Sequence, residues 1–220
     1  GGKLGKTNIF VLSGPSATGK GTICKKIKSE MPVKIAISMT TRKKRQGEED
    51  GVHYHFVDKA CFEDLIEKNG FVEYAKVFDN YYGTPMCEIE GARSTDVILE
   101  IDVQGGLQVM QKLKGSVGIF LLPPSMKALK QRMLKRGTED SDSMKKRLSK
   151  AIDEISELVN YEYFIVNDDL EKATSELKSI ISGMKSESQE ELLQNKVTKE
   201  KANALIDKYK EEYDALSVDR

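Results

Sequence analysis

Apolar positions along the chain follow two rhythms that alternate. Short, nearly unbroken apolar runs stand at Asn8–Ser13, Asp96–Ile101, Gly118–Leu122 and Tyr163–Val166. Between and after them, apolar residues recur at helical spacing over Thr22–Met31, Gly106–Lys114, Ser125–Lys135, Ser143–Val159 and Asp169–Ser182. Apolar runs of strand length suit buried strands, and the i, i+3, i+4 recurrence suits helices that cover one face. Strand alternating with helix predicts an α/β fold, a parallel-sheet core with helices on both faces and right-handed crossovers.

Residues from about Lys34 to Arg93 break that rhythm. Val52–Val57 and Phe71–Phe78 read as extended segments, with the turn signal Asp79-Asn80 after the second. Phe62, Leu65 and Ile66 between them suggest a short helix. The stretch therefore reads as a small α+β insertion with its own sheet. His53 and His55 would point the same way in a strand, but no third ligand stands near, so solvent-facing residues are the better reading than a metal pair. From about Lys185 to Arg220 the chain becomes Lys/Glu-rich and lacks Pro, and Leu205, Tyr209, Tyr213 and Leu216 form a narrow helical stripe. That stripe suits a helix docked on the body or on a partner. A solvated, frayed terminal helix is the plainer alternative.

Composition narrows the classes. Lys+Arg number 35 and Asp+Glu 35, a balance that disfavours a general nucleic-acid binder. Cys24, Cys61 and Cys87 lie far apart with no CxxC pairing, as reduced thiols of a cytoplasmic protein would. No apolar stretch reaches the length of a membrane span, and no signal peptide is read.

The most specific chemistry lies in Ser13-Gly14-Pro15-Ser16-Ala17-Thr18-Gly19-Lys20-Gly21-Thr22, between the first apolar run and the first helical pattern. Gly14 and Gly19 stand at P-loop spacing with Lys20 directly after. Successive backbone N–H groups of such a loop bind phosphate oxygens, and the lysine follows the β- and γ-phosphates. The hydroxyl residue that usually follows the lysine and meets Mg²⁺ is here Gly21. Either water or another residue would hold the metal.

Four further groups carry charge in telling places. Ser38–Arg45 packs hydroxyls with Arg42, Lys43, Lys44 and Arg45, and in a turn Arg42 and Arg45 can face one anion, each guanidinium offering two parallel bonds. Tyr54, Tyr81 and Tyr82 add phenols that can donate to phosphate oxygens. Glu73, inside the apolar Phe71–Ala75, is either an outward strand residue or a carboxylate that needs a partner; the adjacent N1–H and N2–H₂ donors of guanine suit it, whereas adenine presents an acceptor. Glu100 and Asp102 close a buried run, where ligands of parallel sheets collect, and Gln104-Gly105-Gly106 lets a ligand approach the backbone. Arg132 and Arg136 share a helix face after the helix start Pro123-Pro124-Ser125, and Gly137-Thr138 separates them from the helix of Arg147. This reads as a cationic lid or as a salt-bridged surface pair of helices.

Taken in order, these pieces closely resemble the guanylate kinase family. Ser13–Thr22, Ser38–Arg45, Gly47–Phe56, Phe71–Ala75, Asn80–Thr84, Leu99–Gly105, Pro123–Ser125, Lys146–Leu148 and Ile165–Asp169 carry the likeness over about residues 8–183. The resemblance implies a P-loop nucleoside monophosphate kinase that moves the γ-phosphoryl of ATP to GMP, and to dGMP, giving ADP and GDP with Mg²⁺. It implies a P-loop core (1–34, 94–124, 152–184), a GMP-binding insertion (35–93) and a helical lid (125–151), while the tail (185–220) has no match and could serve self-association. Under it, Gly14 to Thr22, Arg132 and Asn167 bind ATP, with Asn167 near the adenine. Arg42, Arg45, Tyr54 and Tyr82 hold the GMP phosphate. Ser38, Glu73 and Thr84 read guanine, and Glu100, Asp102 and Gly105 complete the acceptor site. Lys20, Arg45, Arg136 and Arg147 act on the transferring phosphoryl, and Asp102 orients the metal through water. Ala17 stands where the family usually has Gly, which costs nothing if its φ is negative.

Overall fold

The protein is described from a computed structural model over residues 7–92, 94–137, 140–183 and 190–218. Thr138 of the expected lid break, Arg93 at the end of the insertion and the first residues of the tail (185–189) lie outside the described residues.

The first half of the chain contains β1 (Ile9–Ser13), α1 (Lys20–Glu30), β2 (Val33–Ile35), β3 (Met39–Thr40), β4 (His55–Phe56), α2 (Lys59–Glu67), β5 (Phe71–Val77), β6 (Asn80–Pro85) and α3 (Cys87–Glu90). The second half contains β7 (Asp96–Glu100), α4 (Val103–Lys112), β8 (Val117–Leu122), α5 (Met126–Arg136), α6 (Ser141–Ile155), β9 (Tyr163–Val166), α7 (Leu170–Gly183) and α8 (Lys199–Val218). A parallel five-stranded sheet runs in the order β2-β7-β1-β8-β9. Its strands read as unbroken apolar runs because both faces are covered. Phe10, Leu12, Ile98, Ile119, Leu121 and Ile165 pack under α1 and α7, while Val11, Val97, Leu99, Phe120 and Leu122 pack under α4, α5, α6 and α8.

One strand of the core sheet escapes the apolar-run reading. β2 is only three residues long and carries Lys34, yet it pairs with β7 at the sheet edge, and Ala36 N–H still donates to Ile98 O at 2.9 Å. Core sheet thus continues just past residue 34. The second sheet, β4-β3-β6-β5, is mixed and small. Val52–Val57 contributes only His55–Phe56 to it. Glu49–His53 instead forms a loop in which Gly51 takes φ 76° and Glu49 N–H donates to His53 Nδ1 at 2.9 Å. His53 and His55 therefore do not share a strand face. His55 Nε2 lies 2.6 Å from Glu88 Oε1, and Lys34 Nζ lies 2.9 Å from Glu88 Oε2. Burial opposes ionisation of Glu88, but Lys34 and His55 together hold its carboxyl below the ordinary value. One buried carboxylate so ties β2 of the core to β4 of the insertion.

The helices start where capping chemistry allows. Asp102, Ser125 and Asp140 cap α4, α5 and α6 through Gly105, Ala128 and Ser143 N–H groups. α4 thus begins at Val103, ahead of the expected Gly106, and α6 breaks into a 3₁₀ turn over Ser156–Asn160. The tail is not a solvated, frayed helix. Ala202, Ile206 and Tyr209 of α8 are buried against α5, α6 and the 3₁₀ turn. Tyr209 donates its phenol proton to Pro123 O, and Glu212 accepts from Met126 N–H at 3.0 Å, satisfying one of the unpaired N–H groups that open α5. The stripe read from the sequence is largely spent inside the chain.

Candidate active site

β1 ends at the middle of the parallel sheet, and residues 14–19 loop from it into α1. Two conditions force glycine there. A Cβ on Gly14 would lie 2.3 Å from Leu121 O, and Gly19 takes φ 92° with a Cβ position 2.6 Å from Asn167 Nδ2. Ala17 also sits left-handed, at φ 67°. The condition for a costless alanine at position 17, a negative φ, is not met; the methyl group costs about 1–2 kcal/mol of backbone strain in this region. Thr18 Oγ1 donates to Pro15 O at 2.8 Å and Asn167 Nδ2 donates to Thr18 O at 2.7 Å, which locks the loop from within and from β9's end. Asn167 thereby anchors the loop's backbone as well as lining the space beside it.

Lys20 Nζ lies across this loop, donating to Gly14 O at 2.7 Å and Pro15 O at 3.0 Å. Burial pushes its ammonium below the ordinary value, while Glu100, Glu154 and Asp102 pull it back up. Two spaces flank the loop. One, of about 310 Å³, is walled by Gly19, Thr22, Arg132, Arg136 and Asn167. The other, of about 300 Å³, is walled by Lys20, Glu100, Asp102, Arg147, Lys150 and Glu154. Arg147 of α6 donates to Ser16 Oγ of the loop at 3.0 Å, while Arg132 of α5 donates to O of Asn167, the residue that anchors the loop, at 2.8 Å. Arg136 lies on the same side as Arg132 and is exposed.

A third space, of about 290 Å³, adjoins the second across Glu100, Ile101 and Asp102. Its other walls are Ser38, Tyr54, Glu73, Tyr82 and Gly105. Glu73 stands on β5 opposite Thr84 of β6, and the Thr84 hydroxyl donates to Glu73 Oε1 at 2.9 Å. Burial raises the Glu73 carboxyl above its ordinary value, the Thr84 hydroxyl opposes this, and Asp102 adds to it. A side chain at position 105 would crowd Asp102 Oδ1 at 3.1 Å and Glu73 Oε2 at 3.3 Å, so Gly105 keeps the floor open. Asp102 Oδ1 accepts from Gly105 N–H at 2.7 Å, which leaves its second oxygen for other work.

Next to Tyr54 of this space Arg42 forms a two-pronged pair with Glu48, at 2.7 and 3.0 Å, and Arg45 N–H donates to the same carboxylate at 2.8 Å. Arg42 holds the Glu48 carboxyl down to about 2. The guanidinium lies 5.4 Å from the Tyr54 ring centre, and the Tyr54 and Tyr82 rings are 6.2 Å apart. Arg42, Tyr54 and Tyr82 are thus brought together, with the backbone of Arg45 beside them. Tyr81 is not with them. Alternation along β6 turns it to the other face, where it stacks on Phe62 with ring centres 5.0 Å apart.

Sequence reasoning missed Glu48 and Glu154. Glu48 becomes visible only when the 42–48 loop folds back. Glu154 shares a helical face with Arg147 and Lys150, a spacing of three and four that offered a readable signal. Among the described residues no cluster of three His, Cys, Asp or Glu side chains is placed to bind a metal by itself. Oxygen donors suited to Mg²⁺ are present singly: the free oxygen of Asp102, and Glu100, whose Oε1 lies 3.6 Å from the Cβ position of Gly21. A cation held chiefly by phosphates and water fits this set. The largest cavity among those described, about 900 Å³, lies between α5, α6 and α8, behind the face that bears Arg147.

Comparison with known proteins places the chain in a family. A family model described as guanylate kinase matches residues 6–184. A guanylate kinase of Clostridioides difficile (strain 630) is 45% identical over 207 residues, 93% of this chain and 96% of the relative. One of Clostridium tetani is 47% identical over 179 residues, 80% of this chain and 86% of the relative. The crystal structure of guanylate kinase from Anaplasma phagocytophilum superposes with a TM-score of 0.67 at 32% identity, covering 83% of this chain and 88% of that one.

Proposed function

This chain belongs to the guanylate kinase family, and we propose that it transfers the γ-phosphoryl of ATP to GMP and dGMP, releasing ADP and GDP or dGDP. One observation carries the reading. The main-chain cradle with Lys20 and the pocket of Tyr54, Tyr82 and Glu73, with Arg42 packed on Tyr54, share one wall, Glu100–Ile101–Asp102. Two anions bound there would face each other.

Each residue then has a task set by its place. Lys20 and the loop N–H groups hold the β- and γ-phosphates. Arg132 and Asn167 border the ATP side. Arg42, Arg45, Tyr54 and Tyr82 hold the acceptor phosphate, and Glu48 gives up Arg42 as it arrives. Glu73, poised by Thr84 and with Ser38 nearby, accepts from the two guanine donors. Glu100 and Asp102 would hold Mg²⁺ through its waters, and the ion would supply charge neutralisation on the polyphosphate. The attacking group is a phosphate oxygen that is already anionic, so no strong base is needed; positioning and cations carry the reaction. Arg136 and Arg147 approach the transferring phosphoryl as the lid closes, and closure shuts out water.

We divide the molecule accordingly into core, insertion (from about residue 37 to 93), lid (125–151) and tail, with the Lys34–Glu88–His55 link at the hinge. Nucleotide substrates and the balanced charge suit a cytoplasmic enzyme without nucleic-acid ligands. No described helix is long and apolar enough to cross a membrane. Self-association would use what α8 leaves uncovered, and mass in solution with and without residues 185–220 tests it. Function itself is tested by coupled ADP release with GMP, dGMP, AMP, CMP and UMP. Turnover of GMP and dGMP, with AMP lower by about 10⁴-fold, is expected. AMP turned over as well as GMP, or ATP binding with no turnover, would overturn the reading.

A further inference from the structure

Phe78 breaks a local rule. It occupies the first position of the two-residue turn between Val77 and Asn80, with φ 55°, while Asp79 keeps a negative φ. Such a turn asks for glycine at its first position. The chain instead keeps a bulky aromatic there and leaves it 94% exposed. A strained residue that buries nothing in this conformation points to a contact made in another one.

Hairpin register shows where that contact lies. Glu73 pairs with Thr84, Ala75 with Tyr82 and Val77 with Asn80. Glu73, Ala75 and Val77 all line the acceptor pocket. The row runs outward from the guanine end, past the phosphate end, to the tip at Phe78. Across the cleft stands α6, which lines the adjoining phosphate space with Arg147, Lys150 and Glu154. Lys150 is exposed there. Val77, next to the tip, lines one space and α6 lines the other, and the two spaces share the wall Glu100–Ile101–Asp102.

We propose that Phe78 is the closing contact of the insertion: when both nucleotides are bound, its ring seats on α6 over the Lys150 ammonium. An aromatic face and a facing cation are complementary, and the attraction grows as water leaves. The ring would seal the acceptor phosphate from solvent, so Phe78 is a positioning residue that touches neither reactant. The proposal deepens the kinase reading and rests on it.

The chain contains no tryptophan, so Phe78→Trp places a single indole at the tip. We expect its emission to shift to shorter wavelength, and its quenching by acrylamide to fall, only with GMP and a non-hydrolysable ATP analogue together. Lys150→Ala in that background should abolish the protection. Phe78→Ala should raise KM for GMP by about three- to thirtyfold, the worth of a cation–π contact, and raise ATP hydrolysis relative to GMP phosphorylation. Its melting temperature should not fall. An indole that stays equally quenchable with both nucleotides, while the unmodified protein phosphorylates GMP, overturns the proposal. So does protection without nucleotides that grows with protein concentration, which would show that a second copy covers the tip. Failure of the unmodified protein to phosphorylate GMP would instead overturn the kinase reading.

Discussion

Replacing Glu73 by Gln tests how the acceptor base is chosen. Gln has the shape of Glu, and its carbonyl can still accept from the Thr84 hydroxyl that now reaches Glu73 Oε1 at 2.9 Å. What changes is one oxygen. In the native site two carboxylate oxygens would meet two guanine donors; in the variant an NH₂ group meets one of them. The loss is a charge-assisted hydrogen bond, about 1.5–3 kcal/mol, plus about 1–3 kcal/mol for donors left unpaired in a buried pocket. Their sum, about 2.5–6 kcal/mol, lowers kcat/KM for GMP by about 10²- to 10⁴-fold. KM for ATP should change by less than about twofold, because the two pockets touch only along Glu100–Asp102. The sign of the pH effect follows from burial, which raises the Glu73 carboxyl above 4.5 in the folded protein. The folded state therefore holds its proton more tightly than the unfolded state, and stability falls as pH rises from 4.5 through the raised value. Glu73→Gln removes this loss, so the variant should melt higher than the parent at pH 7 and match it near pH 4. Guanine needs the charged form, so the parent's advantage in kcat/KM should shrink as pH falls. Steady-state kinetics at several pH values with GMP and ATP varied separately, and thermal melts at the same values, are the measurements. A GMP loss under tenfold, or a matching loss in ATP affinity, would refute the assignment of Glu73 to the base.

Arg136→Ala and Arg147→Ala should each lower kcat by about 10²–10⁴, the range for arginines acting at a transferring phosphoryl; unchanged kcat in both would remove the lid from the chemistry. Ala17→Gly relieves about 1–2 kcal/mol of left-handed strain, frees the unfolded chain by about 0.4–1 kcal/mol and gives up one buried methyl group, worth about 0.8 kcal/mol. Chemical denaturation should therefore show a stability within about 1 kcal/mol of the parent, and a larger loss would mean that the φ of 67° is not the native one. Tyr209→Phe deletes the hydrogen bond to Pro123 O and should cost about 1 kcal/mol of stability in urea titration. If that variant is fully neutral, α8 is not docked where we describe it.

The legible parts of the chain were those whose physics is local. The cradle could be read because its glycines, its lysine and the flanking strand and helix are contiguous in sequence. Each main strand of the core advertised itself as an apolar run, since burial on two faces leaves no alternation. β2 escaped because a three-residue edge strand draws its identity from β7, some sixty residues away, rather than from its own composition. Val52–Val57 looked extended, but Gly51 and the Glu49–His53 hydrogen bond turn its first half into a loop. Tyr81 and Tyr82 looked equivalent as phenols; only the face-alternation of β6 separates the stacked one from the one in the pocket. The stripe on α8 was visible, but its destination depended on Pro123 and Met126, which sequence alone does not place beside it.

The pairing of Arg42 with Glu48 has a bearing on which molecules can enter. A visitor to that guanidinium does not find it vacant; it must displace a tethered carboxylate whose local concentration never falls. Neutral nucleosides lack the charge to compete, and esters with a single negative charge only match the incumbent. A dianionic monoester exceeds it. The gate thus sorts applicants by charge before the base is ever inspected.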